Sequence, residues 1–599
     1  MVILMHVIEN HNAKVGKTYC YVGECLWDKQ MKKYSTPRIA VGRLEGDPPQ
    51  FVPNKYLESL SELCNTAPSG ASARDRLIID TVESKYGGIQ VAINAAKQQT
   101  KSVVESQTAW AVFSGPSIVF GGITKRYRID VILRKAFGDT DAEEILSLAW
   151  YPASEGDALS NSDVWLSHYD TPAGRAISSQ EVTRLLDRMN QDGIMTFYKA
   201  WLKGLALSGD KVLYGLTSIS WYGQGINMAG WGHNRDKENL PQINYALMCA
   251  RNTGMPLFAW PIEGSVSDVR TLQNTLQFLN KLDYKPDCLM MDRAFGSVDN
   301  ITFMLAEGYV FLQALRVNAT WLRDIIDNGR ETRLRPDSMV KSGDRVYYVN
   351  TAACQWVTID KVNKKGVAIT ETIVFQCTKS KREKYKAKDG ESILSQYPCT
   401  VHVLFCQDLV GGQWDTFMEK PNMEHTRLKD DESAEPSRDL KPYFIIERKK
   451  WARRRTVEFN MGNIAKHRNN YAGYICFITN DKTITTAKEA LSEYSTRDYI
   501  EKDFDEMKNE LDMNRIRVHT DNRMKARLLI QFIAEIFIRE IRVRLRNSEE
   551  CRKMTRKQIS SHIKGIYKIK FNNRYKDVCP ELSKSQRDIL DALGFIDSR

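Results

Sequence analysis

The segment from Lys211 to Arg316 constrains the fold more than any other. Its apolar runs come in the order KVLYGLTSIS (211–220), NYALMCA (244–250), PLFAWPI (256–262), PDCLMMD (286–292) and YVFLQALR (309–316). Each is short, and turn formers such as RNTG bound them, which is how buried strands read. Between the later runs, SDVRTLQNTLQFLNKL (267–282) and SVDNITFMLAEG (297–308) repeat apolar residues at helical spacing. The order is therefore β-β-β-α-β-α-β. Strands joined by short turns pair antiparallel and strand–helix–strand units return parallel, so the segment predicts an α/β fold, a mixed sheet with helices packed on it. Asp292 ends the run CLMM. An acid at the carboxyl end of such a strand points into the crevice where α/β sheets bind ligands. It also serves as a plain turn or cap residue before Arg293-Ala-Phe-Gly, and the strand alone does not choose between these roles.

With 599 residues the chain exceeds one core and predicts two to four domains. Residues 18–43 alternate aromatic and polar around a charged middle and predict a β-hairpin. Residues 56–112 are helical in composition, including AAKQQTKSVVESQ, and 125–205 read as several helices, with Ser178-Ser179-Gln-Glu181 opening one. After the mixed sheet, 320–445 hold strand candidates DRVYYVN, VAITETIVF and CTVHVLFC between polar segments, which predicts a β-rich insertion. YAGYICFITND (471–481) then returns as a strand, and a long helix covers 521–546. Within it ARLLIQFIAEIFI, broken by Gln531 and Glu535, reads as a core helix. The expected division is 1–125, 126–205, 206–319, 320–445, 446–546 and a basic region 547–599. No internal repeat is present.

Charge narrows the partners. Hydrophobic content of 42% and charged content of 27% are globular. The net charge of +12 is clustered: RKKWARRR (448–455) holds six Lys/Arg, and 551–570 hold seven with no Asp or Glu. Such clusters suggest a polyanion, nucleic acid ahead of membrane, against the plain alternative of a solvated basic surface. The twelve cysteines contain no C-x-x-C pair, so free thiols in a reducing compartment are expected and a zinc site is not. No run approaches 18 apolar residues and the N-terminus lacks a signal-peptide pattern, so a cytoplasmic, nucleoid-associated protein is expected.

The stretch EYSTRDYIEKDFDEMKNEL (493–511) reads as one charged helix. At about 100° per residue, with Tyr494 at zero, Arg497 falls near ~300°, Glu501 near ~340° and Lys508 near ~320°. Ile500, Phe504, Met507 and Leu511 fill the neighbouring arc, an apolar stripe that anchors the helix. Alone, the polar arc is a solvated face with i,i+4 ion pairs. Joined to Asp292, it offers a carboxylate on a second element, as a two-metal phosphodiester site requires.

These blocks together resemble the DDE transposases of bacterial insertion sequences, whose catalytic core is RNase H-like. LYGLTSIS resembles the first-strand block. GWGHNRDKENLPQINYAL and GMPLFAWPIEGSVSDVRTL resemble the turn and two strands after it, and CLMMDRAFGS the second-acid block. Tyr494-x2-Arg497-x3-Glu501-x6-Lys508 matches the Y-R-E-K signature at every spacing, and WDKQMKKYSTPRIAVGR resembles the leading hairpin. The resemblance covers most of 18–545. It implies an N-terminal DNA-binding region, a catalytic core interrupted by the β-rich insertion, two magnesium (or manganese) ions, double-stranded DNA ends as substrate and a homodimer on DNA. Asp292 and Glu501 would be catalytic and metal-holding. Arg497 and Lys508 would grip phosphates, Tyr494 would meet the backbone near the cut end, and Arg448, Lys449, Lys450, Arg453, Arg454 and Arg455 would bind duplex phosphates. Trp451 would stack on a base or anchor a surface.

One position departs from the pattern. Where the family's first-strand block has an aspartate two residues before Thr217-Ser218, this chain has Gly215. Asp210 lies about 16 Å away along a strand, on the opposite face. Asp236, in the turn HNRDKEN, would need a large rearrangement to substitute. Losing an ion-bridging carboxylate removes orders of magnitude in rate. The sequence therefore predicts a transposase impaired in cutting, whether by natural loss or by a substitution made to trap a DNA complex. The alternatives are a non-catalytic DNA-binding regulator and an RNase H-like nuclease without strand transfer.

Overall fold

The computed structural model describes the 599 residues except 1–4, 13–16, 25, 29–32, 36, 46–48, 67–70, 89–108, 206–210, 233, 237, 318, 332–334, 363–366, 379–382, 448–454, 572–576 and 597–599. The chain forms two compact units, residues 1–111 with 568–579, and 112–567 with 580–599.

In the first unit the predicted hairpin is present. Lys17–Glu24 pairs antiparallel with Arg38–Glu45, and Met5–Asn12 and Gln50–Pro53 extend it to four strands. Helices Lys55–Thr66 and Ala73–Tyr86 follow, the second opened by a Ser72–Asp75 capping box. Cys20, Val22, Val41, Leu57, Ile78 and Val82 bury a small core between sheet and helices. The stretch AAKQQTKSVVESQ lies outside the described residues.

The second unit opens with the predicted helical region, Gly115–Tyr127 through Gln191–Gly204, in which Ser178 and Glu181 form the expected capping box. Its sheet begins with β1 (Lys211–Ser220), β2 (Gln242–Ala250), β3 (Pro256–Glu263), β4 (Cys288–Met291) and β5 (Phe311–Leu315). Helix α1 (Asp268–Lys281) joins β3 to β4, and α2 (Val298–Ala306) joins β4 to β5. The spatial order is β3-β2-β1-β4-β5, with β1–β2 and β2–β3 antiparallel and β4 parallel to both β1 and β5. This is the RNase H-like arrangement. All of β2, and β1 beyond Lys211, are buried, as strands covered on both faces must be.

The insertion enters the sheet instead of standing apart. It supplies β6 (Met339–Ser342), β7 (Arg345–Val362), β8 (Ala368–Gln376) and β9 (Glu391–Phe405). The returning strand β10 (Tyr474–Thr479) pairs with β5 on one edge and with Thr400–Phe405 of β9 on the other. The sheet thus grows to ten strands among the described residues. The physical reason lies at the second edge of β10, which must be paired or covered. The apolar half of β9, TVHVLF, covers it. The insertion also holds a 21-residue helix, Val410–Asp430, that composition hides. Gly411, Gly412 and Pro421 argue against a helix. Tertiary partners override them: Leu428 packs with Phe444 and Val457, and Glu424 accepts from the amide and hydroxyl of Ser437.

Three helices complete this unit's site: α3 (Ala487–Ser495), α4 (Asp498–Glu510) and α5 (Asp521–Arg546). α5 is the predicted core helix, buried almost throughout from Met524 to Glu540, with Arg527 and Gln531 bonded to the backbone of the segment that follows α4. No described helix is long and apolar enough to cross a membrane, and the described cysteines are free thiols.

Candidate active site around the glutamate helix

The stretch 493–511 is two helices. α3 stops at Ser495 and α4 starts at Asp498, with Thr496 and Arg497 forming a tight turn in which Arg497 N–H donates to Tyr494 C=O and Ile500 N–H to Arg497 C=O. The cause is the sequence Ser-Thr at the joint. The Ser495 and Thr496 hydroxyls donate to the carbonyls of Ser492 and Glu493, and such side-chain bonds compete with the helical ladder. The predicted apolar stripe does anchor α4: Ile500, Met507 and Leu511 are buried and Phe504 packs beside them. At the end of α3, Glu493 sits between Lys211 of β1 and Arg251 beyond β2.

Asp292 follows β4 with an extended backbone and makes no side-chain cap to the short turn Arg293–Phe295, so the plain capping role is not what it does. Its carbonyl is fixed by Gln313 of β5, whose amide nitrogen donates to Asp292 C=O at 2.6 Å and to Ala314 C=O at 2.7 Å. Its carboxylate, about one-third exposed, faces Arg497.

Arg497 joins the pieces. Its guanidinium lies 2.6 Å from Glu501 Oε1 and 3.6 Å from Asp292 Oδ2, and donates to the Tyr494 hydroxyl at 3.3 Å. Burial pulls this guanidinium's pKa down, but Tyr494, Asp292 and Glu501 outweigh burial and raise it. Tyr494 itself packs on Phe477 of β10, ring centroids 4.9 Å apart, and burial pushes its phenol up. Tyr494 therefore positions Arg497 here, and Arg497 holds the two acids together. Glu501 remains exposed.

Gly215 lies on β1 opposite Leu247 and turns its free face to α4. A Cβ built there would stand 2.9 Å from Ile500 Cδ1 and 2.8 Å from Phe504 Cε2. The vacated position therefore faces the helix that carries Glu501, but two apolar side-chain ends fill its space.

Sequence reasoning missed the partner of Lys508. Its ammonium donates to both oxygens of Asp236 at 2.6 Å. The loop carrying Asp236 is tied to the end of β1, where Ser220 Oγ accepts from Asn234 and Ser218 Oγ from the Arg235 amide. Asp236, for which the sequence predicts a large rearrangement before it could substitute at position 215, lies against α4 through this ion pair. Lys508 is two turns beyond Glu501, about 10 Å along the helix, and it engages both oxygens of Asp236. The signal available in sequence was a pair, RDKEN in the turn and Lys508 in the signature. Asp210 lies outside the described residues.

Of the basic run, Arg448, Lys449, Lys450, Trp451, Arg453 and Arg454 lie outside the described residues. Arg455 spends its guanidinium on backbone, donating to the carbonyls of Leu428, Asp431 and Ala434 around the end of helix Val410–Asp430.

Residues 216–536, more than half of the chain, match the family model of the transposase DDE domain. The chain belongs to the DDE transposase family. Among solved structures, the cryo-EM structure of a piggyBac transposase synaptic complex with hairpin DNA aligns at 10% identity over 75% of this chain and 76% of that chain, with a TM-score of 0.32. So distant a likeness carries no argument. No curated protein matches the chain.

DDE transposases generally use divalent ions. Asp292 and Glu501 supply carboxylates, Gly215 supplies none, and among the described residues no three Asp, Glu, His or Cys side chains come together around one point. One guanidinium, that of Arg497, lies between these two acids and offsets one of their two charges.

Proposed function

We propose that this DDE transposase binds the double-stranded ends of an insertion sequence, as a dimer on DNA, and that cutting and joining of those ends is impaired because position 215 is glycine. The observation that carries the reading is the convergence of Asp292 and Glu501 on Arg497, beside a first-strand position that faces the same helix and has no carboxylate. A strand-end acid and a helical acid on separate elements suit phosphodiester chemistry in which magnesium or manganese polarises the phosphate and activates water. This chain's own residues support binding and orientation. Arg497 offers a fork and Lys508 a point charge to phosphates, once each exchanges its present carboxylate partner for DNA.

The decisive experiment compares the native chain with Gly215→Asp on DNA carrying the element's terminal inverted repeats, with and without Mg2+. Tight end binding without cleavage by the native chain, and Mg2+-dependent nicking and strand joining by Gly215→Asp, are expected. The packing of Ile500 and Phe504 into the vacated position favours a second reading, a transposase-derived regulator that holds ends and does not cut. If Gly215→Asp folds, binds ends and still neither cuts nor joins, the regulator reading replaces the first. Cleavage without products joined to a second DNA would instead mark a nuclease.

A further inference from the structure

A cavity of about 270 Å³, lined by none of the residues grouped around Glu501, opens between the C-terminal end of α5, the turn after it, α6 (Arg556–Lys564) and the end of helix Asp139–Glu155. From Arg527, bonded to Asp512 beside the glutamate helix, to Arg542 at the cavity, α5 advances about 22 Å. Arg542, Arg546, Arg552 and Arg556 all line it, and no Asp or Glu is among the described residues that do. The rest of its lining is mainly apolar, Ile541, Leu545 and Ile559 among it. Burial, then the charges of Arg556 and Arg546, push the Arg542 guanidinium down to about 10, the mark of cations crowded at an apolar surface.

Structural explanations cover only part of this. Cations favour a helix C-terminus, which accounts for charge near Arg546. Arg544 and Arg126 answer to Glu540, one turn back and outside the cavity. Arg556 also donates to Ala153 C=O at 3.3 Å; beyond these contacts, four arginines surround one concave space whose described lining holds no carboxylate. Guanidinium forks match phosphate oxygens bidentately, and an apolar wall accepts the flat face of a base. The volume lies below the ~300 Å³ at which pockets for drug-sized ligands begin, so one nucleotide is the natural occupant and a duplex is not.

We propose that this cavity is a nucleoside-phosphate site, with the arginines on the phosphate and the Ile541–Leu545–Ile559 wall against the base. The nucleotide comes either free from solution or turned out of a bound DNA strand. The site does not depend on cleavage at Asp292 and Glu501.

The test uses the full chain and calorimetric titration with dAMP and with inorganic phosphate. dAMP should bind at one site, at least ~10-fold more tightly than phosphate. Arg542→Gln should weaken dAMP by a comparable factor. Ile559→Phe, which fills the base wall, should weaken dAMP and leave phosphate unchanged. Melting curves confirm that each variant folds, and the exposed Arg552→Gln replaces Arg542→Gln if that variant does not. A duplex carrying 2-aminopurine separates the two sources: a fluorescence rise on binding that Arg542→Gln abolishes assigns the site to an everted nucleotide. Binding of dAMP with no such rise assigns it to a free one. Equal binding of dAMP and phosphate with no effect of Ile559→Phe overturns the proposal in favour of a simple basic surface. Failure of dAMP to bind, with no fluorescence rise, overturns it outright.

Discussion

Lys508 donates hydrogen bonds of 2.6 Å to both carboxylate oxygens of Asp236, so the last cation of the Y-R-E-K signature is neutralised within the chain. A phosphate at Lys508 must displace that carboxylate. Asp236→Asn removes the competitor, and binding to inverted-repeat DNA should tighten. The slope of log K against log salt should steepen by about 0.9, the value for one additional phosphate contact. Lys508→Gln added to Asp236→Asn should erase the change. An Asp236→Asn protein with the native slope would show that Lys508 meets no phosphate.

Gly215→Asp places a side chain where Ile500 Cδ1 and Phe504 Cε2 already stand within 3 Å of its Cβ. Overpacking of this kind costs about 1–3 kcal/mol, so the variant should melt below the native protein in metal-free buffer. Phe504→Leu in the same chain should recover part of the loss by clearing the aromatic edge. A ligand that binds only the folded state raises its melting temperature. Mg2+ should therefore stabilise Gly215→Asp and leave the native melting temperature almost unmoved. Equal Mg2+ shifts in both proteins would rule out position 215 as a missing ion ligand.

The β-β-β-α-β-α-β order from Lys211 to Arg316 was legible because each strand is a short buried run with turn formers at its ends. The place of Asp292 at a strand end was legible because it closes the apolar run CLMM. The partners of those residues were not. Nothing local in KDFDEMK says that Lys508 reaches Asp236, because the contact is made by a loop fixed to Ser218 and Ser220 of another strand. The break at Thr496 was hidden because hydroxyl-to-carbonyl bonds compete with helix formation without leaving a periodicity signal. The insertion read correctly as β-rich, yet its place beside β10 depends on which sheet edge lacked a partner, a property of the assembled fold. Arg455 shows the same limit: within RKKWARRR it is one more cation, and only its distance to three carbonyls gives it structural work.

That work gives a clean separation between stability and DNA binding. Arg455 donates at 2.6 Å to Ala434 C=O, 2.7 Å to Asp431 C=O and 2.8 Å to Leu428 C=O. Hydrogen bonds from charged groups contribute about 1.5–3 kcal/mol each at most, and Arg455→Gln should lower stability by an amount on that scale. The salt slope for DNA should not change. A flattened slope with native stability would return Arg455 to the phosphate-binding run.

His467 supplies a pH dependence. Its Nδ1 is 3.0 Å from the Tyr443 hydroxyl, and its ring stacks on Phe417 with centroids 4.0 Å apart. Burial, then the charge of Arg323, pushes its pKa down from 6.5 to about 4. The native state thus refuses a proton that the unfolded chain accepts. The contribution of neutral His467 is fully present above pH 6.5 and is lost as pH falls from there toward about 4. Urea unfolding at steps between pH 7 and pH 4.5 should show falling stability, and His467→Gln, which cannot titrate, should flatten part of the fall. The native-minus-variant difference is the quantity to follow. It should be constant above neutrality and shrink steadily below it, and a difference that does not vary with pH would mean that His467 titrates alike in both states.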